Sequence, residues 1–411
     1  AIHFSCFHAG NSKTTGVRIH FSGFNAGSAN TTGFNNHFSG YLAGLGNTTG
    51  SRNHFDGFAA GASNTTGPYN YFSGYLAGTA NTTGRENHFS GYYAGRANTT
   101  GNFNHFSGYQ AGSANTTGEF NHFVGFRAGA SNTTGRDNYF SGHQAGEANT
   151  TGIRNYFSGY RTGLNTTTGN NNHFNGFQAG LNNTTGIQNH FSGSRAGENN
   201  TTGGENVYIG YRAGRFGNHT NAIAIGHEAV ARGNNTVTIG NSSMTSIGGY
   251  QPWSNLSDGR FKREVAEDVP GLDFVTRLRP VSYRVDRTAL QAFLKGEEVE
   301  NGTTTQDQPR ETGFIAQEVE EVSQALGYQF NGIIQPQSEN DHYQLSYATF
   351  VVPLVQAVQE QQELIEALQA ENARLTQEND RHRDYFGQLE SRLQALEGNQ
   401  PTVATQLLTK Q

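Results

Sequence analysis

Residues 36–50 read Asn36-His37-Phe38-Ser39-Gly40-Tyr41-Leu42-Ala43-Gly44-Leu45-Gly46-Asn47-Thr48-Thr49-Gly50, and this phrase returns every 17 residues through the first half of the chain without an insertion. Gly16 recurs as Gly33, Gly50 and Gly67 up to Gly203, and a second glycine column runs from Gly10 to Gly214, nearly always after Ala. Phe38 has counterparts at Phe21, Phe55, Phe72, Phe89 and Phe106; three residues on, Phe24, Tyr41, Phe58, Tyr75 and Tyr92 form another aromatic column. A fixed period of this kind marks a repeat architecture. A 17-residue unit is too short for a helix pair, and its apolar residues are bunched, not spread at helical spacing. Stacked β-coils satisfy the pattern, with identical residues in ladders about 4.8 Å apart. Phe ladders are then expected inside, Asn30, Asn47, Asn64 and Asn81 should pair their amides, and Gly should supply φ > 0 at corners. About thirteen coils at that rise make a rod on the order of 60 Å long. A coil this small encloses a thin core, so several chains are expected side by side.

From Asn206 the pattern shortens: Asn221-Ala-Ile-Ala-Ile-Gly226 returns as Asn235-Thr-Val-Thr-Ile-Gly240, a step of 14. The alternating Ile/Val with a terminal Gly resembles the head repeats of trimeric autotransporter adhesins, which implies a trimeric left-handed β-roll.

Composition narrows the function classes. Only 15% of the 411 residues are charged, and the net charge is −6. Residues 1–200 hold six acids against ten Lys and Arg, whereas residues 257–411 hold 25 acids against 14 bases. This balance offers no electrostatic footprint for nucleic acid or an anionic membrane. No apolar run approaches the roughly 20 residues needed to span a bilayer. Cys6 is the single cysteine, which excludes an intrachain disulfide. The chain opens inside a repeat, at Ile2-His3-Phe4-Ser5, so a piece of a longer protein is expected.

Two columns invite chemistry. His3, His20, His37, His54, His88, His105, His122, His173 and His190 share one position, but Tyr71, Tyr139 and Tyr156 occupy it as well. Tyrosine is a poor substitute in a zinc-type ligand set, so stacking of aromatic rings is expected and no metal or other cofactor. The threonine pairs (Thr31-Thr32, Thr48-Thr49, Thr65-Thr66) allow an ice-binding array or hydroxyl-to-backbone turns, of which the turn is the simpler. Asn-Thr-Thr is also a formal glycosylation sequon. Six acids in 200 residues, none in a shared column, do not make a carboxylate pair for glycan cleavage. The pairs after each TTG glycine vary most (Phe34-Asn35, Ser51-Arg52, Pro68-Tyr69, Arg85-Glu86) and are expected at exposed edges, where they meet a cell-surface receptor or glycan or are simply solvated.

After Trp253 the composition becomes that of an ordinary globular domain. Its sharpest stretch is Leu256-Ser257-Asp258-Gly259-Arg260-Phe261-Lys262-Arg263-Glu264. Gly271-Leu272, then Leu278-Arg279-Pro280-Val281-Ser282-Tyr283-Arg284, then Thr312-Gly313-Phe314-Ile315-Ala316-Gln317-Glu318-Val319, and finally Leu345-Ser346-Tyr347 follow in order. Taken alone, Ser-Asp-Gly is an ordinary turn. With those partners it closely resembles the intramolecular chaperone domain of phage tailspikes and endosialidases, a serine-peptidase family also found in myelin regulatory factor. The resemblance covers about residues 254–395. It implies that Ser257 is a nucleophile, Lys262 its base, and the Leu256–Ser257 bond the one cut. Asp258 and Arg260 are expected to hold the loop. A serine needs a base to attack, and a lysine serves once burial lowers its pKa.

The C-terminal stretch carries heptads. With Val351 at a, the a series continues through Val358, Ile365, Asn372, Asn379, Phe386 and Leu393. The d series is Leu354, Gln361, Leu368, Leu375, His382, Leu389 and Leu396, which makes a coiled coil. Asn at a favours dimers in isolation, against which stand the family resemblance and the β-roll.

The expected architecture is mainly β: a parallel β-solenoid shaft over 1–204, a short β-roll over 205–250, a small α/β chaperone domain over 251–348, a coiled-coil helix over 349–397 and a tail over 398–411, as a homotrimer. The expected function is a phage tail fibre or bacterial surface fibre, virion-borne or extracellular, whose chaperone drives trimerisation and then cuts itself off. The alternative is a glycan- or ice-binding solenoid with a permanently attached, uncleaved trimerisation domain. A membrane-tethered transcription factor, which shares this chaperone, does not fit, because nothing upstream is basic.

Overall fold

The computed structural model of the chain describes residues 2–251, 253–295, 309–337 and 341–398. It divides into two units, Ala1–Gly248 and Gly249–Gln411. The expected tail lies, from residue 399, outside the described residues.

In the first unit, fifteen three- or four-residue strands form one parallel sheet in chain order, from β1 (Ile2–Phe4) to β15 (Val237–Ile239). The register is one repeat per coil: His20 pairs with His37, Phe21 with Phe38 and Ser22 with Ser39. In His-Phe-Ser, strand alternation turns the Phe inward and the His and Ser outward. The Phe ladder from Phe21 to Phe191 is fully buried, and successive rings such as Phe38 and Phe55 stack 4.8 Å apart at 6°. Ala26, Ala43, Ala60 and their counterparts fill the rest of this core. The sheet continues through β13 (Val207–Ile209) and β14 (Ile223–Ile225), although the steps there shorten to 16 and 14 residues. Tyr208, Ala224 and Thr238 occupy the Phe position in these coils. Tyr208 keeps a ring, stacked on Phe191, and in the next two coils the ring gives way to Ala224 and Thr238.

Polar ladders line the other side of the coil. Asn47 donates its amide to Asn30 Oδ1 at 2.8 Å and to Gly50 O at 3.0 Å, and Asn64 and Asn81 repeat the scheme. A second buried asparagine ladder, at Asn36, Asn53 and Asn70, accepts from the next coil's backbone, as in Asn53 N to Asn36 Oδ1 at 2.9 Å. Gly44 needs its left-handed φ of 59° and lies against Phe38, whose ring an added Cβ would meet at 2.7 Å. Gly50 is required for space alone, because a Cβ there would meet Asn64 Nδ2 and Gly67 O, each at 2.8 Å.

The corners differ from expectation, for left-handed backbone is not confined to glycine. Asn35, Arg52, Tyr69 and Glu86 form one left-handed column, and Asn25, Leu42, Ala59 and Leu76 another. Each such residue costs roughly 1–2 kcal/mol in isolation. Hydrogen bonds between coils offset that cost, as in Arg52 N to Phe34 O at 2.9 Å and Leu42 N to Phe24 O at 3.0 Å. The threonine hydroxyls bond backbone as expected, but to the neighbouring coil: Thr31 Oγ1 donates to Thr48 O at 3.1 Å. In the histidine column the rings stack, with His105 and His122 4.7 Å apart and His122 and Tyr139 4.8 Å apart at 2°. Among the described residues no group of three or more His, Cys, Asp and Glu is placed to hold a metal ion.

The second unit contains α1 (Leu272–Val275), β16 (Val281–Tyr283), α2 (Arg287–Lys295), β17 (Glu311–Gly313), α3 (Ala316–Ala325), β18 (Ile333–Ile334), β19 (Gln344–Leu345) and α4 (Val351–Glu397). Strands β16 and β17 pair antiparallel, as do β18 and β19. A small aromatic core joins them: Phe274, Phe330 and Phe350 are buried with Val319, and Phe330 meets Phe350 edge-on at 4.7 Å. Among the described residues, the buried positions of α4 are Pro353 and Ala357, at its base. No described helix is long and apolar enough to cross a membrane.

Candidate active site

The segment before the aromatic core is open. Ile247, Tyr250, Trp253, Leu256, Phe261 and Val265 are all exposed within the single chain. In its middle, a single 3-10 turn at Gly259–Phe261 is built by Asp258, whose carboxylate accepts from Arg260 N at 2.9 Å as a cap. The same carboxylate accepts from the Arg260 guanidinium at 3.0 Å from Nε and 2.6 Å from Nη2. That guanidinium, with the Arg260 N–H, holds the Asp258 carboxyl below its ordinary range. Arg263 then donates to the carbonyls of Arg260 and Lys262, at 2.8 and 3.0 Å.

This turn folds residue 262 back over residue 257. Lys262 Nζ donates to Ser257 Oγ at 3.1 Å, and both residues are exposed. The Ser257 hydroxyl thus has an amine within proton-transfer reach and stands next to the Leu256 carbonyl. That is the minimal geometry for a base-assisted attack of a serine on its own peptide bond.

The later motifs converge on the aromatic core. Strand β16 carries Val281-Ser282-Tyr283 and pairs with Glu311-Thr312-Gly313 in β17. Arg279 and Glu318 form an ion pair that joins the Leu278-Arg279-Pro280 stretch to α3, and the arginine lowers the pKa of the Glu318 carboxyl. Tyr347 Oη accepts from Phe314 N at 3.0 Å, so Leu345-Ser346-Tyr347 closes on Thr312-Gly313-Phe314. Leu272 N donates to Glu360 Oε2 at 2.6 Å, and a Cβ at Gly271 would lie 2.6 Å from Ala357 N. Gly271-Leu272 is therefore the clamp on the base of α4.

Residues 257–328 match the family model described as chaperone of endosialidase, a peptidase family. The chaperone match begins at the serine of the turn and ends at Tyr328, next to Phe330 in the core; the fifteen-strand solenoid precedes it. No curated protein and no solved structure matches the chain.

The heptad residues run along the whole of α4, from Val351 before the clamp to Leu396 far beyond it. Val351, Leu354, Val358, Ile365, Leu368, Leu375, Leu393 and Leu396 are 42–72% exposed, and Leu389 is half-buried. Sequence reading did not single out the clamp or the second asparagine ladder. The clamp joins residues 88 positions apart through one carboxylate, and nothing local signals such a pair. The ladder was open to detection, because Asn36, Asn53 and Asn70 share one repeat position.

Proposed function

We propose that this chain is one copy of a trimeric tail-fibre- or tailspike-like fibre whose C-terminal chaperone domain drives assembly and then detaches itself by cutting between Leu256 and Ser257. The observation that carries the cutting step is the 3.1 Å contact of Lys262 Nζ with Ser257 Oγ at the first residues of the chaperone match. In the step itself the Ser257 hydroxyl loses its proton to the Lys262 amine and its Oγ bonds to the Leu256 carbonyl carbon. The Leu256–Ser257 C–N bond breaks, and the nitrogen takes a proton to become the free amine of Ser257. Water then hydrolyses the resulting ester, leaving a Leu256 carboxylate and restoring the hydroxyl.

A lysine acts as a base more readily when burial disfavours its charged form. Ser257 and Lys262 are exposed in the single chain, and so, among the described residues, are the apolar Tyr250, Trp253, Leu256, Phe261 and Val265 of the same segment. Packing of further copies over this segment would supply that burial, so cutting would follow assembly. The exposed heptad face of α4 is where the copies would first meet, because a helix of 47 residues with uncovered Leu and Ile positions buries them in a coiled coil. Starting from one end also answers the register problem of a repeat, in which a slip of 17 residues costs little locally.

The test is a denaturing gel of the full chain with mass spectrometry of its fragments. The expected products are residues 1–256 and 257–411, with Ser257 as the new N-terminus, and a single band in Ser257→Ala and in Lys262→Ala. A wild-type chain that assembles and stays whole overturns the cutting step and leaves the assembly role standing.

A further inference from the structure

The turn at Gly259–Phe261 is three residues long, and a helical turn that short leaves carbonyls that its own backbone does not reach. Two main-chain bonds close on its inside: Phe261 N donates to Asp258 O at 3.1 Å, and Lys262 N to Gly259 O at 3.2 Å. The chain then leaves in extended form at Lys262, with φ −87° and ψ 136°. Carbonyls left over at such an end can be taken by a basic side chain.

Two arginines stand there, and they divide the work. The Arg260 guanidinium is held by the Asp258 carboxylate, at 3.0 Å from Nε and 2.6 Å from Nη2. Arg263 returns to the backbone instead. Its Nη1 alone donates to Arg260 O at 2.8 Å and to Lys262 O at 3.0 Å. Exposed arginines elsewhere in this domain pair with carboxylates, as Arg277 does with Asp273 at 2.6 Å. Lys262 is thereby pinned on both sides, through its N–H on Gly259 O and through its carbonyl on Arg263.

The backbone directly after Arg263 is strained. Glu264 has a φ of 52°, and among the described residues it is the one non-glycine residue with left-handed backbone in the second unit. Strain of this kind persists where the surroundings hold it, and it clusters at functional sites. Here the bend falls just past the arginine whose side chain folds back over the turn. The residue that gains from the bracing is Lys262. Its stem is long and flexible, and holding Nζ at 3.1 Å from Ser257 Oγ costs rotamer freedom. A loose backbone at Lys262 would add its own freedom to that cost, and the reactive geometry would be reached less often.

We propose that Arg263 is a positioning residue for the cut: by bracing the carbonyls of Arg260 and Lys262, it holds the root of Lys262 where Nζ meets Ser257 Oγ. The inference rests on the cutting reading above and adds a residue that acts through Lys262. Asp258 and Arg260 shape the turn, and Arg263 fixes how the base leaves it.

The test follows cutting of the full chain over time on a denaturing gel, with light scattering for the assembled mass. Arg263→Met keeps a long side chain and removes its donors. Arg263→Lys keeps a donor nitrogen, and one suffices, because both bonds come from Nη1. The expected result is cutting slowed about tenfold or more in Arg263→Met and restored to near the wild-type rate in Arg263→Lys, at the same assembled mass. Wild-type cutting in Arg263→Met overturns the positioning role and leaves the cutting reading intact. Equal loss in the Met and Lys variants overturns it as well, since the carbonyls need only a donor. Loss of the assembled mass in Arg263→Met assigns the residue to assembly and not to the cut. A wild-type chain that stays whole overturns both readings.

Discussion

At the scale of single residues, the asparagine ladder shows what one departure from the repeat costs. Thr166 stands where the ladder calls for asparagine, between Asn149 and Asn183. Its hydroxyl is buried without a partner, and Asn149 Oδ1, which the next amide should reach, is also unpartnered. Asn183 keeps its bond to Gly186 O at 3.2 Å but has no amide to donate to in the coil before. Leaving a buried polar atom unsatisfied costs about 1–3 kcal/mol. Thr166→Asn is therefore expected to stabilise the solenoid by about 1 kcal/mol, read as a higher midpoint in thermal or denaturant unfolding of the full chain. An unchanged or lower midpoint would mean that the coil around Thr162 and Thr166 has closed on the smaller side chains.

At the scale of elements, the stacked histidines give the strands a pH dependence. His20, His37, His88, His122 and His173 have lowered pKa values because burial disfavours the imidazolium and the adjacent imidazole in the stack adds to it; for His105 burial is the cause. A histidine with a folded pKa below its unfolded one binds fewer protons in the folded state. Stability then rises with pH through this range, holding above about 6.5 and falling as acid protonates the unfolded chain first. Unfolding of the solenoid should shift down by several degrees between neutral pH and pH near 5. The triple variant His88→Tyr, His105→Tyr, His122→Tyr should flatten that slope, because Tyr71, Tyr139 and Tyr156 already fill this position without disturbing the stack. An equal slope in the variant would assign the acid sensitivity to other groups. The contrast with α4 is instructive: the strands are satisfied within one chain by ladders, while the helix leaves its heptad face uncovered.

At the scale of the whole molecule, the proposed cut would separate the part proposed to set register from the part that persists. Identical coils can realign in many ways, so a solenoid released from the chaperone is expected to find its register again less readily. Cutting then makes stability kinetic. The uncut Ser257→Ala fibre is expected to recover its circular dichroism and its mass after dilution from denaturant, and the cut wild-type fibre to fail. Equal recovery of both would show that the solenoid sets its own register and that the chaperone is not needed for it.

What the sequence determined alone is the periodic part of the molecule. The 17-residue period dictated stacked coils, the buried Phe column and the asparagine ladder, because every coil repeats the same local contacts and one coil suffices to read them all. The order of motifs after Trp253 likewise sufficed to indicate the chaperone resemblance and to single out Ser257 and Lys262. The tertiary structure decided what depends on contacts between distant or non-identical residues. It placed non-glycine residues in left-handed corners, which local propensity disfavours and inter-coil hydrogen bonds hold. It also carried the sheet through the 14-residue coils without a break, and it clamped α1 to α4 through Leu272 and Glu360. Contacts of this kind follow from how the chain closes on itself and not from the order of residues along it.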